Sequence, residues 1–420
     1  MRIQYCNQFF AGPSAPGPAQ PRKFVRRLAD RGHAVDVIGC DFNAYNEQDE
    51  PPESYETLSG GSVRVHRLAT PRGLRASLGS RLRTYLRFAW SAYRFGRDLP
   101  VPDVVMTSMQ PLFAAYAVMR LARRWKRPFL LEVRDLWPDA LVAKRAISSW
   151  QAAPLDAIAR ALYAGADRIV SLTPGIKTEL LKKGIAGGRV DVFPNGFDAE
   201  TLNLEPGTRE RMRERLGWGD KFVAAYTGAH TEVTAIEVIV RAAHALRNRR
   251  DIRIDLFGSG QTKAGAMSLA EELGLGNVRF HDPAPKSEVP SILAGADAGL
   301  MTLFHSPLIH IYFENKLIDY MGAGKPILAA MEGVQAEIIR RCNAGNVVAT
   351  LDHEGLARLI AEAADQPALC REMGAAGYRF VSTRLVQREI LDRYADVLEA
   401  LARGEIDRVP VWDPFEGAVK

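Results

Sequence analysis

Apolar positions along the chain follow two alternating rhythms. Compact apolar runs at 2–6, 34–38, 62–68, 103–107, 129–133 and 168–172, and again at 222–226, 252–257, 278–280, 297–303 and 346–349, read as strands. Between them apolar residues recur every three or four positions, as Phe24, Val25 and Leu28 do, and predict helices at 111–125, 176–182, 235–246 and 385–401. Thr173 and Pro174 fix one helix start as cap and first residue. Pro194-Asn195-Gly196 marks a turn near the middle of the chain. Strands that alternate with helices in both halves predict an α/β protein with two doubly wound, Rossmann-like domains of parallel sheet facing a central cleft. Residues 41–61 are polar, contain Pro51 and Pro52, and are expected to form a mobile loop. The last stretch, 404–420, reads as a terminal extension packed on the surface or disordered.

Length supports the two-domain reading, because 420 residues exceed what one hydrophobic core usually serves. The four cysteines, Cys6, Cys40, Cys342 and Cys370, have no metal or redox spacing and point to a reducing compartment. Neither a secretory leader nor a long uninterrupted apolar run is visible, so a cytoplasmic, non-spanning protein is expected. Charge changes the picture more. Residues 1–200 hold 29 lysines and arginines against 19 acidic residues, which makes the first half the basic one and suggests an anionic partner. Within it, Arg72, Arg75, Arg81, Arg83, Arg87, Arg94 and Arg97 occur without one acidic residue and alternate with Leu, Tyr, Phe and Trp. Such a segment suits an anionic membrane face at 72–97, or an ordinary helix packed on the sheet with a solvated basic side. No nucleic-acid motif accompanies the charge, so a nucleic-acid partner is not expected.

Candidate chemistry gathers at strand ends. Phe313-Glu314-Asn315-Lys316-Leu317-Ile318-Asp319-Tyr320-Met321-Gly322-Ala323-Gly324-Lys325-Pro326 predicts a short helix from Lys316 capped by Asn315, stopped by Gly322 and Gly324. Amides from Glu314 to Leu317 at that helix start favour an anion, the dipole alone contributing roughly 0.3–1 kcal/mol. Lys316 adds a full charge, and Asp319 is a carboxylate able to accept bonds from paired hydroxyls. Phosphate and ribose on one scaffold suggest a nucleotide sugar. Strand 222–226 runs into Thr227-Gly228-Ala229-His230-Thr231, and strand 252–257 into Gly258-Ser259-Gly260 with Lys263 beyond. Either loop lets backbone approach a phosphate, although a lone His such as His230 is more often a structural residue and a lone Gly-x-Gly is weak. Strand 129–133 ends in Arg134-Asp135-Leu136-Trp137-Pro138, where ligands bind in parallel sheets, or where Arg134 and Asp135 form a structural ion pair.

The stretch 313–329 resembles the donor signature of retaining GT-B glycosyltransferases of the family-4 type, and in particular their bacterial polysaccharide and O-antigen branch, N-acetylfucosaminyltransferases included. Arg134 to Pro138 and Pro194-Asn195-Gly196 are similar to that branch too. The resemblance implies an acceptor-binding domain at 1–203, a donor domain at 204–384, and a helix from 385 that crosses back onto the first domain before a tail. It further implies that Asp319 holds the ribose and that the loop from Phe313 through Glu314 and Asn315 to Lys316 holds the diphosphate. Gly228, His230, Thr231, Gly258, Ser259, Gly260 and Lys263 would surround the donor, with Pro283 and Ala284 at the base. Gly17 would approach it from the first domain, near Arg22. Asp135 and Arg134 take the catalytic positions.

Three departures stand out: Ile311 occupies the place of the family's first glutamate, Arg134 that of a frequent histidine, and Thr231 that of a glycine. The implied activity is transfer of an N-acetylated hexosamine or deoxyhexosamine from a nucleoside-diphosphate sugar, UDP-linked, to a polyprenyl-diphosphate-linked glycan at the inner membrane face. No metal or other cofactor is implied. An epimerase of the same fold and a non-catalytic nucleotide-sugar-binding subunit are the alternatives.

Overall fold

The structure, a computed structural model, describes all residues except Ser14, Pro16, Gly17, Pro18, Arg75, Lys144, Arg145, Asn203, Pro307 and Lys420, and the side chains of Thr201 and Leu202. The expected role of Gly17 therefore lies outside the described residues. The chain forms two compact units. One is Met1–Asn195 with Arg388–Asp413, and the other is Gly196–Gln387 with Pro414–Lys420. The change of unit falls inside the Pro194-Asn195-Gly196 turn, ahead of the 203/204 boundary that the resemblance implies.

In the first unit β1 (Arg2–Cys6), α1 (Gln20–Asp30), β2 (Ala34–Cys40), β3 (Glu53–Glu56), β4 (Ser62–Leu68) and α2 (Leu78–Asp98) lead to β5 (Val104–Ser108). After α3 (Leu112–Trp125) come β6 (Phe129–Val133), α4 (Asp139–Ala143), α5 (Ser149–Gly165), β7 (Arg168–Ser171), α6 (Pro174–Lys182) and β8 (Val190–Val192). The sheet order is β3-β4-β2-β1-β5-β6-β7-β8, with Ile3 in register with Val35 on one side and Val104 on the other. Every pairing is parallel except β3 with β4. Winding reverses direction between β1 and β5, so the carboxyl ends of β1, β5 and β6 face the switch point where α/β folds bind ligands.

Segment 41–61 departs from expectation. It contains the antiparallel edge strand β3, and its acidic residues are tied down: Glu53 takes a two-pronged contact from Arg22 at 2.9 Å, and Glu50 pairs with Arg67. A four-residue polar strand of sequence Glu-Ser-Tyr-Glu has no apolar run to announce it. Arg22, spent on Glu53 and the Ala11 carbonyl, holds this edge.

The second unit runs through α7 (Thr208–Leu216), β9 (Phe222–Thr227), α8 (Glu237–Ala245), β10 (Ile252–Phe257), α9 (Lys263–Glu272), β11 (Val278–His281), α10 (Val289–Gly295) and β12 (Ala298–Thr302). It continues with α11 (Asn315–Gly322), β13 (Ile327–Ala330), α12 (Val334–Arg341), β14 (Gly345–Val348), α13 (His353–Asp365) and α14 (Pro367–Arg384). The sheet is wholly parallel, ordered β11-β10-β9-β12-β13-β14. Its inner strands are buried at almost every position, as strands covered by helices on both faces must be. The switch point lies between β9 and β12.

A last helix, α15 (Gln387–Arg403), belongs almost entirely to the first unit. Tyr394 is sandwiched between Phe24 at 3.9 Å and Phe193 at 4.8 Å, and Phe193 stacks in turn on Trp412. Outside this aromatic column, Arg27 meets Asp392 and Arg31 meets Asp396 and Glu399. The tail is fixed as well, because Trp412 accepts from the Val192 amide and donates its own to Asp191 Oδ1, both at 2.8 Å. Asp191 also receives Arg168 on two prongs at 2.6 and 3.1 Å, both side chains being buried.

Removing one member of a buried pair strands the other charge. Asp191→Leu should therefore cost about 3–5 kcal/mol in urea unfolding followed by tryptophan fluorescence, and the double change Arg168→Met with Asp191→Leu should recover most of that loss. Equal losses for the single and double variants would show that the tail contact, not the ion pair, carries the energy.

Candidate functional site

Two strand-end loops are joined edge to edge beyond β9 and β10. Gly228 donates its amide to the Phe257 carbonyl, His230 donates to that of Ser259, and Thr262 returns a bond to His230. This approach leaves no room for side chains at the crossing. A Cβ on Gly258 would lie 1.8 Å from the Gly228 carbonyl oxygen, and both glycines have positive φ, +158° and +148°. Ser259 and Gly260 stand exposed on the outside of the turn. His230 is wholly buried behind it, between Tyr226 and Phe280, with both ring nitrogens lacking a hydrogen-bond partner. Burial first, then Lys263 and Lys316, push its pKa down to about 4, so the ring is neutral. Its side chain forms part of the wall, and only the backbone of this loop reaches the surface beside it.

Thr231 caps a short 3-10 turn, Glu232–Thr234, and Ala235 is left-handed at φ +42° before α8 begins at Glu237. The helix start expected at Ala235 is thus displaced by two residues, because the turn interrupts it.

Helix α11 locks onto this junction through two residues one turn apart. Tyr320 accepts the Thr227 amide at 2.8 Å. Lys316, buried, donates to the Tyr226 hydroxyl at 2.8 Å, lies over that ring at 4.1 Å, and pairs with Glu314 at 3.2 Å. The Tyr226 hydroxyl in turn donates to the Ala229 carbonyl at 2.8 Å. Burial alone would lower the Lys316 pKa, but Glu314, Tyr226 and Tyr320 outweigh it and hold the ammonium charged well above its usual range. A Cβ on Gly228 would come within 3.0 Å of Lys316 Nζ, so the charge lies directly under the glycine turn.

Two details of this element differ from expectation. Asn315 is the first helical residue and Glu314 occupies the cap position without a side-chain cap bond. Of the amides expected to be open, Glu314 donates to Gln335 Oε1 at 2.9 Å and Leu317 to the Glu314 carbonyl. A partner 21 positions further along the chain, absent from any local pattern, took the first of them.

Asp319 is exposed, one turn beyond Lys316. Surrounding protein mass raises its pKa to about 6, against the pull of Lys286 and Lys316. Lys286 belongs to the loop after β11 that carries Pro283 and Ala284, so this loop and Asp319 share one electrostatic neighbourhood. Lys263 donates to the His281 carbonyl at 2.7 Å and pairs with Asp282 at 3.4 Å, tying the start of α9 to the same loop. Phe313 packs edge-on against Phe415 of the terminal segment. The second unit therefore brings together Gly228, Gly258, Ser259, Gly260, Lys316 and Asp319. Lys263 stands at the far side, with its charge committed.

Sequence reading missed Tyr226, Gln335 and Asp255. Asp255, buried in β10, takes Arg253 at 2.6 and 3.0 Å and Trp218 Nε1 at 2.8 Å, with His281 Nε2 2.7 Å away. The signal was available, since Arg253 and Asp255 lie two apart on one face of an apolar strand. Buried charges there must be paired.

In the first unit Arg134 pairs with Glu132 at 3.4 Å and donates to Gln20 Oε1 at 2.9 Å. Glu132 accepts from Tyr5, which accepts from Asn7. In this network Gln20 is fixed by its bond to the Pro194 carbonyl at 2.8 Å. Asp135 is exposed at the end of β6, and Gln110 donates to its backbone carbonyl.

Two parallel doubly wound units, each with its polar cluster at the strand carboxyl ends, define the GT-B class of fold. Residues 19–196 match the glycosyl transferase 4-like domain and residues 208–380 match the glycosyl transferases group 1 domain, so the chain is assembled from two glycosyltransferase-family domains. Among relatives, the D-inositol 3-phosphate glycosyltransferase of Streptomyces avermitilis is 29% identical over 231 residues, covering 52% of this chain and 48% of the relative. The lipopolysaccharide core biosynthesis glycosyltransferase LpsD of Rhizobium meliloti is 28% identical over 181 residues, 43% of this chain and 50% of the relative. The aligned stretch thus spans about half the length of these relatives. Among solved structures, Anabaena Alr3699/HepE in complex with UDP superposes with a TM-score of 0.71 at 16% identity, over 95% of this chain and 100% of that one.

The glycine crossing gives a direct test. Gly258→Ala should cost about 1–3 kcal/mol in thermal or urea unfolding by forcing the two loops apart. Gly265→Ala, whose added Cβ meets nothing within 4 Å in α9, should gain roughly 0.5–1 kcal/mol. Equal effects would show that the crossing is looser than its geometry.

Proposed function

We propose that the protein is a retaining glycosyltransferase that moves a sugar from a UDP-linked donor to a lipid-diphosphate-linked glycan in cell-surface polysaccharide synthesis. One observation carries the reading: within the group 1 domain a glycine turn, a buried ammonium and an exposed carboxylate are gathered at the switch point of a parallel sheet. A diphosphate fits the backbone of Gly228 and of 258–260 with Lys316 beneath, and two ribose hydroxyls fit Asp319. The Anabaena neighbour, solved with UDP, supports the choice of base, and the named role of LpsD in lipopolysaccharide core synthesis supports the class of acceptor. The preference for an N-acetylated sugar rests on the resemblance at 313–329.

In this mechanism the donor diphosphate displaces Glu314 as the partner of Lys316, and the ammonium stabilises the charge that develops on departure. The departing phosphate takes the acceptor proton, so no dedicated protein base is required. Asp135 is assigned to the acceptor hydroxyl or the transferred sugar, and Arg134, held by Glu132 and Gln20, to the incoming phosphate-rich substrates. No metal enters the scheme, and transfer should persist in a chelator.

A panel of UDP-, GDP-, ADP- and dTDP-sugars, read by thermal stabilisation, tests the donor. A ligand at about 100 times its Kd adds roughly 2.7 kcal/mol, and a UDP-selective shift is expected. No shift for any sugar nucleotide would overturn the reading, as would release of an epimerised free nucleotide sugar. Lys316→Ala should weaken UDP-glucose binding by tenfold or more, since a charge-assisted contact contributes about 1.5–3 kcal/mol.

The Asp319 carboxyl is raised to about 6. Only the ionised carboxylate offers both oxygens as charged acceptors to a pair of hydroxyls, so affinity for UDP-glucose should be full above that pH and fall as pH drops through it. Asp319→Asn should bind weakly and flatten this dependence. An unchanged pH profile in the variant would remove Asp319 from the ribose.

A further inference from the structure

Helix α2 has two apolar faces, and only one of them is used. Phe88, Ala89, Ala92 and Gly96 are buried on its inner side, which packs against α3. Leu78, Leu82, Leu86 and Trp90, spaced by four, form a ridge that winds from the edge of the buried face toward the outer side, and they are 62%, 46%, 47% and 48% exposed. Four large apolar side chains in one stripe are not needed by the core, since the helix has already buried its other face. Arg83, Arg87 and Arg94 border the stripe, and the guanidinium groups of Arg87 and Arg94 lie 4.4 and 4.8 Å from the Trp90 ring. None of these three arginines has an ion-pair partner among the described residues, whereas Arg97 is paired with Asp98. Segment 72–97 contains no acidic residue.

We propose that this outer face of α2 is a docking surface for an anionic lipid bilayer, with the Leu78–Leu82–Leu86–Trp90 stripe entering the acyl boundary and the arginines meeting headgroup phosphates. The observations favour lipid over a ligand that is anionic but not apolar, because a ligand read by charge alone leaves the stripe in water. The ordinary reading, a helix with a solvated basic side, accounts for the arginines but not for the exposed apolar stripe beside them. No helix among the described residues is long and apolar enough to span a membrane, so the helix lies in the interface plane. Its inner Tyr85 rests edge-on against Trp137 at 6.3 Å, three residues beyond Arg134. The lipid surface would thus adjoin the segment that carries Arg134 and Asp135, as a lipid-tethered substrate requires. The docking itself does not depend on the transferase reading.

Vesicle flotation of the full chain tests it, using phosphatidylcholine vesicles with and without phosphatidylglycerol, at low and high salt. Each surface arginine contributes about fivefold to partition, so Arg83→Gln with Arg87→Gln and Arg94→Gln should lower binding by roughly a hundredfold at low salt. Leu82→Ser with Leu86→Ser and Trp90→Ser should lower it at least tenfold and abolish the part that survives high salt. All six positions are exposed, so circular dichroism and the UDP-sugar response should stay unchanged. Brominated lipids should quench the wild type more than Trp90→Phe. Absence of vesicle binding would overturn the proposal, as would binding that the apolar variant retains in full. So would a concentration-dependent dimer abolished by the apolar variant, or arginine-dependent binding to duplex nucleic acid in place of vesicles.

Discussion

The arrangement of the second unit depends on a buried ammonium. Lys316 would not stay charged inside a protein without compensation, and three groups supply it: the Glu314 carboxylate, the Tyr226 hydroxyl and the face of the Tyr226 ring. Satisfying that one charge fixes the distance between α11 and the end of β9. Tyr320, one turn on, then reaches the Thr227 amide, and Gly228 must pass over Lys316 with no side chain of its own. The glycine turn, the helix start and the carboxylate of Asp319 are thereby held in one register. The buried ammonium and the glycine crossing are held stiffly, while Asp319, Ser259 and Gly260 are left exposed.

The first unit solves a related problem with a network instead of a single ion. Glu132 and Arg134 sit at the end of a buried strand, where each would be costly alone. Tyr5, Asn7 and Gln20 complete their hydrogen bonds, and Gln20 is anchored on the turn at which the chain leaves the unit. Nearby, the column Phe24–Tyr394–Phe193–Trp412 binds the returning helix and the tail to the sheet. Conserving the geometry around Arg134 therefore depends on residues drawn from opposite ends of the chain.

Both domain matches lie within one enzyme class, and each unit gathers polar groups at strand ends: a glycine turn, a buried ammonium and an exposed carboxylate in the second, an arginine in a polar network in the first. The outer face of α2 adds a feature that neither sheet nor core explains. It sets four exposed apolar side chains beside three exposed arginines.

The order of strands and helices was legible in the sequence, because burial on both faces of a parallel sheet writes continuous apolar runs such as 129–133 and 252–257, and Thr173-Pro174 writes its own cap. The glycine turns and the Asn-Lys-x-x-Asp stretch were legible for the same reason: backbone conformation and local spacing are encoded residue by residue. What escaped was every feature that depends on a partner distant in the chain. β3 has no apolar pattern and exists because Glu53 finds Arg22. Lys316 was read as an open charge, yet Tyr226, ninety residues away, buries it. Gln335 took an amide that local rules left free, and α2 showed its second apolar face only once its first had been spent on α3. The sequence by itself determined the elements and the residue types that could do chemistry. Tertiary structure alone decided which of those polar groups are consumed by one another and which are left for a ligand, because pairing in a low-dielectric interior is settled by proximity in space.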